Sequence, residues 1–255
     1  MATVLTRQQA RRFYDWLGRK FDSQAIYEQS GFDILCAHGR FAEARSVFEF
    51  GCGTGRLAED LFRHYLGPQA HYRAVDISPR MADIARKRLQ PWHDRARVEV
   101  SDGSTLLPLP DNSCERFVSC YVIDLLSEAD ARQLLTEAHR ILSPHGLLCL
   151  ASITTGITRL SRFVMRLWQW LGRLHPLCVG GCRPVALATL LAPGQWQPEY
   201  HQVLTRRGVA IEILVARTCH TDNAPDGAGA EIEPRKPGVG PPNQSKQIRH
   251  STNPG

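Results

Sequence analysis

A glycine-rich segment between a short apolar run and a helical pattern constrains the fold of this chain more than any other feature. Val47–Phe50 is mostly apolar, residues 51–55 are Gly-Cys-Gly-Thr-Gly, and Leu57–Leu66 has the apolar spacing of a helix. Glycine accepts positive φ and lets a ligand approach the backbone, while the free N–H groups at a helix start attract anionic or strongly polar groups. The segment therefore predicts a strand, a tight loop and a helix that together hold a ligand.

Strands and helices continue to alternate after this unit. Further strands are predicted at Tyr72–Val75, Val98–Val100, Phe117–Val122 and Leu147–Ile153, with helices at Pro79–Leu89 and Glu128–Leu142. This alternation is typical of an α/β fold, a parallel sheet with helices on both faces. A short helix at Pro184–Leu191 and two strands, Tyr200–Leu204 and Val209–Val215, follow. The short link between those two strands predicts an antiparallel hairpin.

The two ends of the chain differ from its centre. Residues 1–41 are predicted to form a helical cap, because apolar side chains recur there about one helical turn apart. Residues 42–219 are predicted to form the α/β domain. Residues 220–255 have almost no large apolar side chain and are predicted to be a disordered tail. No run approaches the roughly 20 apolar residues of a membrane span, and no secretory signal is visible, so a cytoplasmic protein is expected.

Cysteine usage fits a reduced protein. The chain has eight cysteines, and Cys52, Cys120 and Cys149 lie in apolar or glycine-rich segments where a thiol packs as a small hydrophobe. Cys178 and Cys182 are the only close pair, and no second pair at zinc-site spacing accompanies them. We therefore expect no metal site.

The glycine spacing distinguishes the loop from a dinucleotide-binding loop. The dinucleotide pattern Gly-x-Gly-x-x-Gly ends in a glycine that lets helix and strand pack closely around a pyrophosphate. Here that position is Arg56, and the third glycine comes one residue earlier, at Gly55. Glu49, just before the loop, would repel a pyrophosphate but attract the ammonium group of a methionine moiety. The loop therefore disfavours NAD or FAD.

Two further acids follow the next two predicted strands. Asp76 comes 21 residues after Gly55, where its oxygens can accept from both hydroxyls of a ribose; alternatively, it only caps the next helix. Asp102, before Gly103, can accept from the exocyclic amine of an adenine; alternatively, it belongs to an ordinary Asp-Gly turn. Together with the loop, these acids predict a nucleoside site.

In this order, the elements resemble the class I methyltransferases that use S-adenosyl-L-methionine (SAM), in particular the ubiquinone/menaquinone C-methyltransferase-like subgroup. The resemblance covers about residues 46–153, in the segments Val47–Gly55, Ala74–Met81, Ser101–Pro110 and Ala138–Leu147. It implies a Rossmann-like seven-stranded sheet of order 3-2-1-4-5-7-6 with an antiparallel strand seven, and SAM as the cofactor.

The resemblance also implies roles for individual residues. Glu49 would bind the methionine amine, Asp76 the ribose and Asp102 the adenine. Ile77 and Met81 would pack on the adenine and ribose faces. The full predicted cofactor-binding set is Glu49, Gly51, Cys52, Gly53, Gly55, Asp76, Ile77, Met81, Asp102, Gly103 and Cys120.

The acceptor is predicted to lie in the crevice above the fourth strand. The sulfonium of SAM already activates the methyl group, so positioning can contribute as much as roughly 7–11 kcal/mol, and a general base is needed only for a hydroxyl or a carbon acid. Tyr121 and Asp124 are the predicted catalytic residues, which would orient the acceptor or remove its proton. Alternatively, Tyr121 packs under the N-terminal helix and Asp124 caps the following helix. Tyr14 and Tyr27 are predicted to cover the site.

Residues 156–183 form an insert with five arginines and no acid. Arginines and a glutamine recur every three or four residues along a predicted helix, at Arg159, Arg162, Arg166, Gln169 and Arg173. Apolar side chains fill the rest of this helix, at Leu160, Phe163, Val164, Leu167, Trp168, Trp170, Leu171 and Leu174. Such a helix either lies on an anionic membrane surface or packs its apolar face on the protein as a lid. Either arrangement gives the site an apolar wall, which predicts an amphiphilic acceptor.

Other function classes remain as alternatives. The net charge of +6 comes largely from the insert, so no general nucleic-acid surface is predicted. The Asn/Asp-Pro-Pro-aromatic signature of amino-methylating DNA enzymes is missing, because Ser119–Asp124 stands in its place. The second interpretation is a SAM-binding regulatory or assembly protein without transferase activity. An NAD(P)-dependent oxidoreductase is disfavoured by Gly55–Arg56.

Overall fold

One seven-stranded sheet organises the part of the chain that the structure, a computed structural model, describes: residues 4–18, 28–174, 181–206 and 208–219. The strands are β1 (Ser46–Phe50), β2 (His71–Asp76), β3 (Ala96–Val100), β4 (Cys114–Cys120), β5 (Leu142–Ile153), β6 (Trp196–Arg206) and β7 (Val209–Thr218). The helices are α1 (Arg7–Leu17), α2 (Glu28–His38), α3 (Arg56–His64), α4 (Pro79–Arg88), α5 (Glu128–Ile141) and α6 (Arg159–Leu174).

The strand order is β3-β2-β1-β4-β5-β7-β6. Strands β1 to β5 pair in parallel, whereas β7 is antiparallel to both β5 and β6. The predicted α/β fold, strand order and antiparallel hairpin are therefore confirmed. Since the carboxyl ends of parallel strands meet at one edge of the sheet, the segments after β1, β2 and β4 come together there.

Apolar side chains fill both faces of the sheet. Consecutive residues of β1 alternate, so that Val47 packs in the core cluster that includes Leu35 of α2, and Phe48 packs in the opposite cluster that includes Leu134 of α5. Helix-covered faces on both sides explain why the central strands are apolar at nearly every position. The sheet is thus a rigid base for the loops at its carboxyl edge.

The N-terminal region, predicted to be a helical cap, contains the two helices α1 and α2 in its described residues. Helix α1 begins with a capping box in which Thr6 and Gln9 exchange hydrogen bonds, and it ends at Gly18, whose φ is 48°. The next described residue is Glu28, where α2 begins. Tyr27 lies outside the described residues, as does the predicted tail at 220–255.

Several element boundaries differ from the predicted ones, and two of the differences bear on the elements near the cleft and the hairpin. Strand β4 ends at Cys120 rather than Val122, because Tyr121 has a φ of 57° and the backbone turns there. The helix predicted at Pro184–Leu191 is a short 3-10 helix over Leu187–Leu190.

Helix α6 lies in the predicted insert and contacts β7. Ser161 and Met165 on one side of α6 are buried, and the indole Nε1 of Trp168 donates to the carbonyl of Cys182 at 3.2 Å. Within the described ranges, no helix is long and apolar enough to cross a membrane.

Candidate functional site

A deep cleft opens at the carboxyl edge of the sheet, above β1, β2 and β4. It encloses about 1270 Å³ of space, a volume that includes the open solvent at its mouth. Its wall includes the predicted residues Glu49, Gly51, Cys52, Gly53, Asp76, Ile77, Met81, Gly103, Cys120 and Tyr121. The structure therefore brings most of the predicted cofactor-binding residues to one cleft.

The glycine loop directs its backbone N–H groups into the protein. The amides of Gly51 and Cys52 both donate to the carbonyl of Val75, at 2.8 and 3.1 Å, and the amide of Gly53 donates to Asp76 Oδ2 at 2.8 Å. These amides are therefore not available to cradle a pyrophosphate. A Cβ built on Gly53 would meet no atom within 4 Å, so the backbone there is open to a ligand that packs against it.

Gly55 has a different role from the other loop glycines. Its φ is 76°, and a Cβ placed there would lie 3.0 Å from Cβ of Ala85 in α4. It is the residue before α3 and is not part of the cleft wall. Gly55 thus lets α3 start close to α4, which supports the site from behind rather than touching its contents.

Glu49 lies at the bottom of the cleft and is almost fully buried. The hydroxyl of Tyr72 donates to its carboxylate. Burial raises the pKa of Glu49 to about 7, the hydrogen bond from Tyr72 lowers it, and the charge of Asp76 adds to the increase. A buried carboxylate of this kind is stabilised by a cation, so the position suits an ammonium group.

Asp76 ends β2 and holds the loop in place. Its Oδ1 accepts from the amide of Ser78 at 2.9 Å, and its Oδ2 accepts from Gly53. Burial raises the pKa of Asp76 to about 6, and these two backbone bonds lower it. A carboxylate has about four acceptor sites, so Asp76 can still accept from two hydroxyl groups in the cleft. The helix cap itself is made by Ser78, which accepts from the amide of Met81, and not by Asp76.

The end of β3 contributes backbone rather than the predicted acid. Gly103 lines the cleft with a φ of 79°, and a Cβ there would lie 2.6 Å from Cδ1 of Ile77. Asp102, in contrast, is exposed and outside the cleft wall, and its Oδ1 accepts from the amide of Ser104 at 2.8 Å. The structure therefore does not bring Asp102 to the other predicted residues, because the local Asp turn directs its side chain away from the cleft.

Tyr121 stands at the wall of the cleft directly after β4. Its positive φ is uncommon for a bulky residue, and such backbone conformations concentrate at functional sites. The centroid of its ring lies 5.9 Å from the ring centroid of Phe32 in α2, and its hydroxyl lies beside Gly31. Tyr121 thus joins the cleft to α2, and Cys120 next to it also lines the cleft.

Asp124 does not line the cleft. A 3-10 turn over Ile123–Leu125 directs its carboxyl inward, where it is fully buried near Ser152 and Arg183. Burial raises its pKa to about 6, and the neighbouring groups lower it. In this arrangement Asp124 cannot contact an acceptor, so the expectation that it takes part in catalysis is corrected to a role inside the protein.

The N-terminal segment forms a wall that the sequence only partly indicated. Tyr14 lines the cleft, as predicted, together with Val4, Leu5, Arg7 and Ala10. The attachment point was not predicted: Asp15 Oδ1 accepts from Ser78 Oγ at 2.6 Å. Because Ser78 is the N-cap of α4 and lies two residues after Asp76, this contact joins α1 to the predicted ribose site.

No group of His, Cys, Asp or Glu side chains within the described ranges could hold a metal ion. Cys178, one of the two closely spaced cysteines, lies outside those ranges. Cys52, in the glycine loop, is buried, which raises the pKa of its thiol well above the usual value. It therefore acts as an uncharged packing group.

The central segment of the chain matches a known protein family. Residues 47–146 match the family described as a methyltransferase domain. This range runs from β1 into β5 and contains the glycine loop, Asp76 and Tyr121. The match therefore includes most of the cleft.

Relatives of known name align with the same part of the chain. A tRNA N(3)-methylcytidine methyltransferase of Drosophila melanogaster is 30% identical over 45% of this chain and 36% of its own length. A demethylmenaquinone methyltransferase of Listeria welshimeri is 30% identical over 43% of this chain and 45% of its own. A magnesium-protoporphyrin O-methyltransferase of Rhodobacter capsulatus is 32% identical over 51% of this chain and 52% of its own. The chain thus spans about a third to a half of these relatives.

Solved structures share the fold. The [4+2]-cyclase SpnF has a TM-score of 0.63 at 14% identity and covers 85% of this chain and 98% of its own. A geranyl diphosphate C-methyltransferase from Streptomyces coelicolor, in complex with S-adenosyl-L-homocysteine, has a TM-score of 0.59 at 14% identity and covers 75% of this chain and 79% of its own. At such identities the likeness shows the fold alone.

Proposed function

We propose that this chain, whose central domain is that of a class I SAM-dependent methyltransferase, transfers the methyl group of SAM to an amphiphilic small molecule. One observation supports this more than any other. The wall of a single cleft combines buried acids and the open glycine loop with apolar side chains from the N-terminal segment, α2 and the segment after β4. The acids and the loop suit a zwitterionic nucleoside, and the apolar side chains suit a largely apolar acceptor.

Each polar or glycine residue of the cleft wall would bind a different part of SAM. Glu49 would hold the ammonium group, and the open face of Gly53 would pack against the methionine chain. Asp76 would accept from the ribose hydroxyls, while Ile77 and Met81 would contact the adenine. Since Asp102 lies outside the cleft, we assign recognition of the adenine edge to the backbone at Gly103.

The apolar side chains of the cleft wall would position the acceptor. SAM supplies an activated methyl group, so the main task of the chain is to hold the acceptor atom in line with it. Tyr121, directly after β4, is a polar side chain in the wall of the cleft, and we propose that it orients the acceptor. Val122, Leu125 and Leu126 continue the wall beyond Tyr121 and would exclude water from the transfer.

The acceptor would be a small molecule, as expected for the ubiquinone/menaquinone C-methyltransferase-like subgroup, and the names of the relatives support this. Two of them are named for demethylmenaquinone and for magnesium-protoporphyrin, and a structural neighbour is named for geranyl diphosphate. Because one relative is named for tRNA, a screen for the acceptor must also include RNA. Peripheral contact of residues 156–183 with a membrane is also part of this proposal.

A second candidate is a SAM-binding regulatory or assembly protein without transferase activity. The neighbour named as a cyclase is the observation that favours keeping it, because one fold can serve several functions. Binding measurements do not separate the two candidates, whereas turnover does.

The test is a screen with methyl-labelled SAM against lipid extract, aqueous metabolite extract and total tRNA. We expect label in the lipid extract with the native protein and much less label with Asp76→Ala at the same SAM concentration. That variant should lose about 1–3 kcal/mol of SAM binding, because the ribose hydroxyls lose a charged acceptor. Label in tRNA alone would refute the small-molecule acceptor, and SAM binding without label in any arm would favour the second candidate.

A thermal shift assay tests the cofactor independently. SAM or S-adenosylhomocysteine at about a hundred times its dissociation constant should stabilise the fold by roughly 2.7 kcal/mol. NAD and NADP should have no effect, because the loop amides are already used within the protein. Stabilisation by NAD and none by SAM would overturn the assignment.

A further inference from the structure

Helix α6 has three stripes along its length, each with a different environment. The attached stripe consists of Ser161, Met165 and Trp168, of which the first two are buried and the third is half-buried. These residues fall on one side of a helix with 3.6 residues per turn. They connect α6 to β7 and to the segment at Cys182. Val164 beside them is half-buried, and the other side chains of α6 whose burial the structure describes are exposed.

The apolar stripe of α6 is exposed to solvent. Phe163 is 65% exposed and Trp170 is 55% exposed, and Leu160, Leu167 and Leu171 lie on the same side. With Ile157 just before the helix, this segment provides six of the nine large apolar side chains that the described residues expose. Scattered exposed apolar side chains are ordinary, but a contiguous group marks an interaction surface.

A basic stripe runs beside the apolar stripe. Arg159, Arg162 and Arg166 are all exposed, and their spacing places them on the side of the helix next to Phe163 and Trp170. Residues 156–183 contain no acid, so nothing within this segment neutralises the arginines. A protein partner would have to match both stripes, whereas an anionic lipid surface offers phosphates and acyl chains at adjacent depths.

We infer that α6 docks the protein on an anionic phospholipid surface, with the apolar stripe in the boundary between headgroups and acyl chains and the arginines at the phosphates. Helix α6 follows β5, whose carboxyl end shares the sheet edge that bears the cleft. After α6, Gly181 lies against Leu5 and Leu125, which both line the cleft. Docking through α6 would therefore bring the cleft near the membrane, which, if the proposed function holds, would give an amphiphilic acceptor a short path.

The test is co-sedimentation with vesicles, which needs no turnover and so is independent of methyl transfer. Vesicles of equal parts phosphatidylcholine and phosphatidylglycerol are compared with pure phosphatidylcholine, at about 0.02 M and about 0.5 M salt, because surface attraction is screened at the higher concentration. We expect binding to the anionic vesicles at low salt, with release at high salt.

Two variants of α6 separate the contributions of the stripes. Phe163→Ser with Leu167→Ser should weaken binding roughly tenfold or more by removing apolar insertion, and replacement of Arg159, Arg162 and Arg166 by glutamine should abolish the preference for anionic lipid. Controls elsewhere on the surface are Leu106→Ser and the triple glutamine variant of Arg45, Arg63 and Arg97, which are exposed. The controls should bind as the native protein does, and all variants should keep the SAM thermal shift.

Three results would overturn the inference. One is that the native protein fails to bind anionic vesicles at low salt. Another is that the α6 variants bind as well as the controls. The third is concentration-dependent self-association in sedimentation velocity that Phe163→Ser abolishes, without vesicle binding, because the occupant of the stripe would then be a second copy of the chain.

Discussion

The ionisation of Glu49 predicts that cofactor affinity depends on pH. Its pKa is raised to about 7 by burial, with the Tyr72 hydrogen bond lowering it, and the ammonium of SAM binds the ionised carboxylate. Affinity should therefore increase as pH rises through about 7. Calorimetric titration between about pH 5.5 and pH 7.5 measures this, within a range where most of the cofactor amine is protonated.

Two variants identify the group responsible for this pH dependence. Glu49→Gln should weaken binding and leave only the smaller dependence of Asp76, centred near pH 6. Tyr72→Phe should move the increase to higher pH, because the hydrogen bond that lowers the pKa of Glu49 is lost. A constant affinity across the range in the native protein would contradict the assignment of Glu49 as the ammonium ligand.

Residue types and their order predicted the glycine loop, Glu49, Asp76 and Tyr121 as neighbours, because each lies at or just after the carboxyl end of a strand, at the same edge of the sheet. The directions of Asp102 and Asp124 could not be predicted in this way. They lie two and four residues beyond their strands, where a turn decides whether a side chain enters the cleft or leaves it. The contact from Asp15 to Ser78 joins residues 63 positions apart, and no local pattern indicates such a pairing.

At the scale of elements, Glu212 of β7 connects three neighbours. Its carboxylate accepts from Thr154 Oγ1 at 2.9 Å and from the amides of Leu187 and Ala188, and it lies 2.9 Å from His201 Nε2. Burial raises the pKa of Glu212, but these hydrogen bonds outweigh it and hold the pKa below the usual value. The hydrogen bond to Glu212 in turn raises the pKa of His201 against burial.

Glu212→Gln should reduce the free energy of unfolding by about 1–3 kcal/mol, because buried donors lose a charged acceptor. Urea denaturation measures the change, with exposed Glu128→Gln as the control. The contribution of Glu212 is present above the pKa of an unfolded glutamate and is lost as pH falls through its lower folded pKa. The contribution of His201 is lost as pH rises through its raised pKa. Equal stability of the two variants would show that the network is not stabilising.

Strands were easier to predict than the N-terminal helices. Apolar runs predicted the strands themselves, and the resemblance implied their order, which the structure has. The end of α1 at Gly18 was missed because Phe13, Leu17, Phe21 and Ile26 maintain a helical spacing across it. For α6, the sequence predicted an amphipathic helix but left open which side meets the protein, because Ser161 and Met165 are less apolar than the side that stays exposed.

At the scale of the whole molecule, composition predicts that the last residues are dispensable. Residues 220–255 have too few apolar side chains to offset the entropy of ordering them. A protein truncated after residue 222 should therefore keep its melting temperature and its SAM affinity, measured by calorimetry beside the full chain. A large loss of either would mean that this segment packs on the rest.

The buried acids beneath the glycine loop also link the lifetime of the protein to its cofactor. A folded-state pKa above the usual value means that the empty protein loses stability as pH rises from about 4.5 toward 7, where Glu49 must ionise without a neighbouring cation. SAM supplies that partner and stabilises only the folded state. Since cellular proteases remove marginally stable proteins, abundance of this protein should fall when SAM becomes scarce, before any change in its synthesis.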